Sequence, residues 1–410
     1  MSTRVHQMER KCEFNILADN VKVQNVIDSI LEHGPQEESI HVVDLDDIVK
    51  KHDIWLQQMS RVKPFYAVKC NDTQEIVQVL AKLGTGFDCA SKREMEQILA
   101  MGVKPERIIF AQPAKPIESL IYAKKHEIKL MTFDGQYELH KIKQHFPEAL
   151  LVLRFRYDSG KSYGTMGKKF GCDAESEAPG LLRLAKDLGL NVIGLSFHIG
   201  SAGDDWQSFM GAFEVARKTF DSAKNIGYNF TLLDIGGGFP GANCKPIDPY
   251  AKQINKAIDT YFANDSNVTF IAEPGRYYPT SAVTTITHVQ SKRLVKDKDG
   301  KEIMYYYVND GIFGTFYSAG HEKQQVYPVA LNKEGPVKES AIWGPSCDPL
   351  DLIRPSVLLP DLQFGDFILF ENTGGYSIVL ANSFNGFPLP RLQIYVREST
   401  WAMLQNSPIN

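Results

Sequence analysis

Within Pro64-Phe65-Tyr66-Ala67-Val68-Lys69-Cys70-Asn71 a run of strand-forming apolar residues ends on Lys69 and passes directly into a polar turn. The pattern predicts a lysine at the carboxyl end of a buried strand. In a dry pocket such an amine loses its proton more readily, because burial disfavours the charged form. The neutral amine can form a Schiff base with an aldehyde. A lysine that merely caps a strand and snorkels to water is the plainer reading of the stretch taken alone.

Other residues widen the choice of chemistry. Gly236-Gly237-Gly238, inside Leu233-Asp234-Ile235-Gly236-Gly237-Gly238-Phe239-Pro240-Gly241, follows a strand-like run. Bare glycines let backbone N–H groups line a concavity suited to a phosphate; they also simply make tight turns. The Lys-Ser/Thr ending of a nucleotide P-loop is absent. Arg276 stands after the next strand-like run, and a guanidinium beside exposed N–H groups makes a strong phosphate site. Glu273 is either the partner of that arginine or a carboxylate that keeps a pyridinium nitrogen protonated and the ring an electron sink. His198 is a core histidine or stacks on a planar cofactor, with Ser201 in reach of its phosphate. The turn Trp343-Gly344-Pro345-Ser346-Cys347-Asp348 presents a thiol next to an acid. A lone cysteine is usually a small buried hydrophobe, whereas one at a rigid turn is placed to deliver a proton. Asn372-Thr373-Gly374-Gly375-Tyr376 offers a hydroxyl, and His321-Glu322 is a polar loop pair.

These residues need a scaffold that gathers them. Strand-like runs fall at 65–69, 87–90, 108–111, 130–133, 150–155, 192–197, 232–235 and 269–272, with helical periodicity between them at 73–83, 93–101, 116–125 and 206–226. Eight strands alternating with helices predict a parallel (β/α)8 TIM-type barrel; an open doubly wound sheet alternates as well, but count and spacing favour the barrel. The candidates sit at successive strand ends: Lys69 at the first, Asp88 the second, Arg154 the fifth, His198 the sixth, the glycines the seventh and Glu273-Pro274-Gly275-Arg276 the eighth. In a barrel those ends form the face that carries active sites. After Tyr278 the rhythm gives way to β-rich runs punctuated by Gly and Pro. The expected division is a barrel over 42–280 and, from 1–41 with 281–410, a mostly antiparallel β-sandwich or barrel.

The bulk properties exclude several classes. The chain has 410 residues, 43% hydrophobic and 23% charged, which is a soluble globular composition of about two domains. A net charge of −4 argues against a nucleic-acid surface. No stretch reaches the roughly 18 apolar residues of a membrane span. The start lacks an apolar signal core. Six scattered cysteines without zinc spacing predict a reduced, cytoplasmic protein with no metal.

Taken together, PFYAVKCN (64–71), GFDCAS (86–91), SFHIGS (196–201), LDIGGGFPG (233–241), AEPGRYY (272–278), WGPSCD (343–348) and SFNGF (383–387) resemble the eukaryotic ornithine decarboxylases. These belong to the barrel class of pyridoxal-phosphate decarboxylases acting on basic amino acids. The resemblance runs from about 40 to 403. It implies that Lys69 holds pyridoxal 5'-phosphate covalently, that Glu273 pairs with the pyridine nitrogen and that His198 stacks on the ring. Ser201, Gly236, Gly237, Gly238, Gly275, Arg276 and Tyr376 would hold the phosphate side, and Asp88 and Arg154 would line the pocket. Cys347, as proton donor, and Asp348, as binder of the substrate's distal ammonium, would come from the partner subunit of a head-to-tail homodimer. Phe384, His321 and Glu322 would lie along the substrate. Lys169 and Asp351 match positions that form ion pairs between subunits. The implied reaction is decarboxylation of ornithine to putrescine.

There are departures from the family pattern. His321-Glu322 stands where Tyr-Asp is usual, which brings lysine or arginine into play as substrate. Gln112 and Ala114 replace the commoner Asn and Cys. Past Trp401 there is no counterpart of the long tail that marks the vertebrate enzymes for degradation. A non-catalytic homologue of the antizyme-inhibitor kind, or a chain with an antizyme-like regulator, is a further reading. Such inhibitors lose cofactor residues, whereas Lys69, Asp88, His198, Arg276 and Cys347 are all in place. An alanine racemase would carry an arginine at the ring nitrogen instead of Glu273.

Overall fold

The computed structural model describes residues 12–157, 168–200, 205–321 and 326–409. They divide into two compact units. One comprises Val49–Tyr278 with the residues from Asn406 on; the other comprises the chain up to Ile48 and Pro279–Gln405. No helix among the described residues is long and apolar enough to cross a membrane.

The first unit is a closed barrel of eight parallel strands: Val62–Ala67, Gly86–Cys89, Ile108–Phe110, Leu130–Phe133, Leu150–Arg154, Asn191–Ser196, Leu232–Asp234 and Thr269–Ala272. The last pairs with the first, Phe270 opposite Val62 and Ala272 opposite Pro64. The strands read as nearly unbroken apolar runs because helices cover their outer faces while side chains fill the interior. Phe65, Ile109, Val152, Leu232 and Ile271 form one such filling. The long helix Ser208–Ile226 buries Phe209, Phe213 and Phe220 and stops at Gly227, whose φ of 98° is the left-handed conformation of a helix end. Phe262 meets Phe213 and Phe220 edge-on at 6.1 and 5.1 Å, the arrangement aromatic quadrupoles favour.

Several strands stop one or two residues short of the sequence pattern. Val68 and Lys69 lie in a single 3-10 turn, Val68–Cys70, beyond the first strand. The ladder thins at this face without breaking: Phe197 N–H still donates to Asp234 O at 3.1 Å and Ile235 N–H to Ile271 O at 2.9 Å.

The second unit is a mixed sheet. Its main path runs Cys12–Leu17, Arg391–Arg397, Ile40–Asp44, Val283–Lys296, Glu302–Val308, Val337–Trp343 and Leu352–Pro360. Three ladders are parallel, two of them flanking Arg391–Arg397 and one joining Glu302–Val308 to Val337–Trp343; the others are antiparallel. A hairpin turn joins Val283–Lys296 to Glu302–Val308: Asp297 Oδ1 accepts from the N–H groups of Asp299 and Lys301, both at 2.9 Å, and Gly300 takes a φ of 79°. Strand Leu352–Pro360 escaped the sequence reading because it holds two prolines. It is an edge strand, where a missing N–H costs no ladder bond.

The barrel closes tightly at Gly194, where the register with Leu150–Arg154 slips. A Cβ there would lie 2.1 Å from the carbonyl oxygen of Leu232. Gly194→Ala is therefore overpacked, at a cost of about 1–3 kcal/mol. For a domain this size that corresponds to a fall in Tm of roughly 3–10 °C by calorimetry; an unchanged Tm would contradict the close approach.

Candidate active site

At the carboxyl-end face of the barrel, side chains from widely spaced strands converge. The Val68–Cys70 turn is anchored on both sides. Ala67 N–H donates to Pro274 O at 3.1 Å, and Tyr66 Oη donates to Asn71 O at 2.8 Å. From this turn Lys69 reaches Asp88, a fully buried residue of strand Gly86–Cys89, and its ammonium bonds the Asp88 carboxylate. The lysine side chain is 41% exposed. The dry pocket expected from the apolar run is thus not what Lys69 occupies: its stem emerges and its amine turns back onto a buried acid. Periodicity reports burial of the strand, and the turn lies past it.

Asp88 belongs to an acidic cluster with Asp234 and Glu273. Burial raises the carboxyl of Asp234 to about 7; the Gly236 N–H, donating at 2.9 Å, and a hydrogen bond with Glu273 pull the other way. Burial, then the charges of Asp234 and Asp88, lift Glu273 well above the ordinary carboxyl range. Neither Oε1 of Glu273 nor Oδ2 of Asp234 receives a donor among the described residues. Neighbouring carboxyl groups that both ionise repel each other, so a proton is retained in the cluster. Lys69 and Arg154 supply the compensating positive charge. His198 lies beside them. Burial first, then Arg154 and Lys69, push its imidazole down to about 3, so the ring is neutral at ordinary pH, and its Nδ1 is buried without a hydrogen-bond partner.

The glycine turn brings the strand ends this close. A Cβ on Gly236, where φ is 65°, would lie 2.2 Å from Phe197 O, and one on Gly238, where φ is 103°, 2.6 Å from Gly200 O. On Gly237 a Cβ would meet Glu273 O at 2.8 Å and His198 Cε1 at 3.3 Å. Glu273 N–H donates to Gly236 O at 2.7 Å, locking the carboxylate's strand end to the turn. Gly275 and Arg276 follow on the same segment.

Two acids of this face were missed in the sequence. Asp234 sits within the recognised glycine motif, and its alternation with buried Leu233 and Ile235 was the available signal. Glu94 is the third residue of helix Lys92–Ala100. Its N–H donates to Ser91 Oγ at 3.2 Å, the cap of the helix, while its carboxylate accepts from the N–H of Ala90, one residue before the cap, at 2.5 Å; the Ser-x-x-Glu spacing was the legible signal. Burial raises its carboxyl to about 7, opposed by the Ala90 N–H and aided by Asp88.

Of the remaining candidates, all but Lys169 and Ser201 belong to the other unit. Tyr376 has a φ of 54° in the Asn372–Tyr376 turn, and its carbonyl accepts from Ser318 Oγ at 3.4 Å. Cys347 is exposed, and its N–H donates to Asn385 Oδ1 at 2.9 Å. Asp348 accepts Leu350 N–H at 2.8 Å. His321 stacks on Tyr317, with ring centroids 4.1 Å apart, and Phe384 tilts against Phe313 at 4.6 Å. Asp351 is buried against groups of its own chain, and Lys169 lies over the Phe170 ring at 5.0 Å. Ser201 and Glu322 lie outside the described residues.

The protonated acids have a thermodynamic signature. Unfolded Glu273 ionises near its ordinary value while the folded residue keeps its proton, so the folded state binds more protons and stability falls as pH rises. In ligand-free protein, Glu273→Gln removes that dependence. The Tm advantage of the variant should be small at pH 5 and grow towards pH 8, with a slope of up to about 1.4 kcal/mol per pH unit. Parallel Tm–pH curves for the two proteins would contradict the assignment.

Comparison with known proteins gives the family. Residues 45–280 match the family described as pyridoxal-dependent decarboxylase, pyridoxal binding domain. Ornithine decarboxylase 2 of Drosophila melanogaster is 41% identical over 92% of this chain and 96% of its own. Antizyme inhibitor 2 of Xenopus laevis is 40% identical over 97% of this chain and 90% of its own. Among solved structures, the arginine decarboxylase of Paramecium bursaria Chlorella virus bound to agmatine superposes with a TM-score of 0.85 at 34% identity, over 91% of this chain and 100% of that one. The chain belongs to the eukaryotic ornithine decarboxylase family and is a pyridoxal-phosphate-dependent decarboxylase of basic amino acids.

Proposed function

We propose that this enzyme converts L-ornithine to putrescine and CO2 in the cytoplasm, as a head-to-tail homodimer, within polyamine biosynthesis. The observation that carries the reading is the face where Lys69, the Asp88–Asp234–Glu273 cluster and the glycine turn converge. Its atoms fit pyridoxal 5'-phosphate. Glu273 Oε1, His198 Nδ1 and Asp88 Oδ1 are buried without hydrogen-bond partners among the described residues. The Gly236–Gly238 backbone, with no side chain in the way, is free to approach an anion. Lys69 would hold the cofactor, Glu273 its ring nitrogen and His198 its ring face; Gly236, Gly237, Gly238, Gly275, Arg276, Ser201 and Tyr376 would hold the phosphate side. Asp88 and Arg154 would line the pocket.

Bound there, the cofactor supplies an electron sink for the carbon that loses CO2. The chain supplies the rest. Glu273 would give its proton to the ring nitrogen and, left as the carboxylate, keep it there. His198, neutral because of burial and its cationic neighbours, stacks without adding charge. Cys347 donates the proton that replaces the lost carboxylate, and Asp348 takes the distal ammonium of the substrate. Both act from the partner copy. Leu350, 73% exposed beside them, is a large apolar side chain that a second copy would cover.

A second reading, lysine or arginine as substrate, is favoured by His321-Glu322 and by the likeness to a viral arginine decarboxylase. A non-catalytic role of the antizyme-inhibitor kind, or binding of an antizyme-like regulator, draws on the antizyme inhibitor 2 match. The intact cofactor set, Lys69 and Glu273 above all, speaks for catalysis. The discriminating assay measures kcat/KM for CO2 release from ornithine, lysine and arginine in parallel. Ornithine should exceed lysine by roughly 10–200-fold, the worth of one methylene in a pocket. A higher value for lysine or arginine would move the assignment to that substrate, and no release from any would leave the regulatory reading.

A further inference from the structure

We infer that Asp351 and Asn385 are positioning residues that clamp the turn bearing Cys347 and so decide where its proton is delivered. The inference rests on the reading of Cys347 as the proton donor. It starts from Asp351, which is only 1% exposed. One carboxylate oxygen accepts Ile312 N–H at 2.8 Å. The other accepts Ser346 N–H at 3.0 Å and Ser346 Oγ–H at 2.6 Å. Both oxygens are engaged within the chain, a different use from the intersubunit ion pair that the family resemblance implies for this position.

Two glycines make room for the carboxylate. A Cβ on Gly311 or Gly344 would lie 2.3 or 2.2 Å from Asp351 Oδ1. The main chain closes the same loop, Gly344 N–H donating to Asp351 O at 2.8 Å and Asp351 N–H to Asp348 O at 3.0 Å. The result is that the three successive N–H groups around the thiol each have a designated acceptor. Ser346 N–H goes to Asp351, Cys347 N–H to Asn385 Oδ1 at 2.9 Å, and Asp348 N–H to Ser346 Oγ at 3.4 Å. Asn385 holds its place in left-handed backbone, φ 55°, which asparagine tolerates better than most residues. Asp351 thereby ties the Cys347 turn to the Gly311–Ile312 segment, and Asn385 ties it to the segment of Phe384. A turn with three fixed N–H groups has little freedom to move its thiol.

The step at stake is a proton transfer. When CO2 leaves, the electron pair of the broken C–C bond is delocalised. The S–H proton of Cys347 then goes to the substrate α-carbon, leaving a thiolate that solvent reprotonates. A displaced thiol lets another atom take the proton, and CO2 then appears without an equal amount of diamine.

The test uses the holoenzyme and four variants beside Cys347→Ala. Asp351→Asn keeps the shape but sets an NH2 against donors. Ser346→Ala removes one contact and Ser346→Thr restores the hydroxyl. Asn385→Gly keeps the backbone conformation and loses the acceptor. Two quantities are read: the ratio of CO2 to diamine, and the alkylation rate of Cys347 by iodoacetamide, mapped by peptide mass spectrometry.

The expected result is an alkylation rate changed at least threefold in Asp351→Asn, Ser346→Ala and Asn385→Gly. Their CO2-to-diamine ratio rises towards that of Cys347→Ala, while Ser346→Thr stays near wild type on both readouts. Wild-type alkylation in Asp351→Asn and Asn385→Gly, or a ratio of one in them when Cys347→Ala departs from one, would overturn the clamp. A ratio of one in Cys347→Ala itself would overturn the donor reading, and alkylation then still decides whether the turn is clamped. If Asp351→Asn does not fold, Ser346→Ala and Asn385→Gly carry the same comparison.

Discussion

Three carboxyl groups, Asp88, Asp234 and Glu273, are gathered at one end of the barrel, where Lys69 and Arg154 are the cations that act on them among the described residues. Three buried negative charges beside two positive ones do not balance. Burial resolves the imbalance by keeping protons on the acids least exposed to a cation, Glu273 foremost. That constraint explains the chemistry of the face. An acid that arrives protonated can pass its proton to a ring nitrogen and pair with it as the carboxylate, while Asp88 holds the amine that must be kept in place.

The architecture exists to bring those groups together. Strand ends converge on the glycine turn because no Cβ intervenes at Gly236, Gly237 or Gly238, and the carbonyls of Phe197, Gly200 and Glu273 close over the space. The same turn thus sets the distance between His198 and the acid cluster. Adding a methyl there would separate the acids from the histidine as surely as it would block an anion.

The barrel was legible because a buried parallel strand and an amphipathic helix each leave a periodic trace, and eight alternations admit few folds. The candidate site was legible in part, because functional side chains cluster at strand ends and local motifs mark those ends. What the sequence concealed were the partners. Nothing around Lys69 announces Asp88, nineteen residues on, as the group its amine meets, so an apolar pocket was expected where a half-exposed stem and an ion pair are found. Asp234 and Glu94 were passed over for the same reason, since each matters through a neighbour supplied by tertiary contact. Asp351 was passed over likewise as a residue of its own loop: its oxygens meet Ile312 and Ser346, contacts that no local pattern announces. The proline-bearing edge strand Leu352–Pro360 escaped because edge strands relax the rule by which strands are recognised.

The account turns on Lys69 as the residue that carries the cofactor against the acid cluster. Reduction of the loaded enzyme with borohydride, followed by proteolysis and mass spectrometry, would locate the attached pyridoxyl group. The account predicts the added mass on the peptide spanning Pro64–Asn71, at Lys69. Attachment to any other lysine, or none at all, would contradict it.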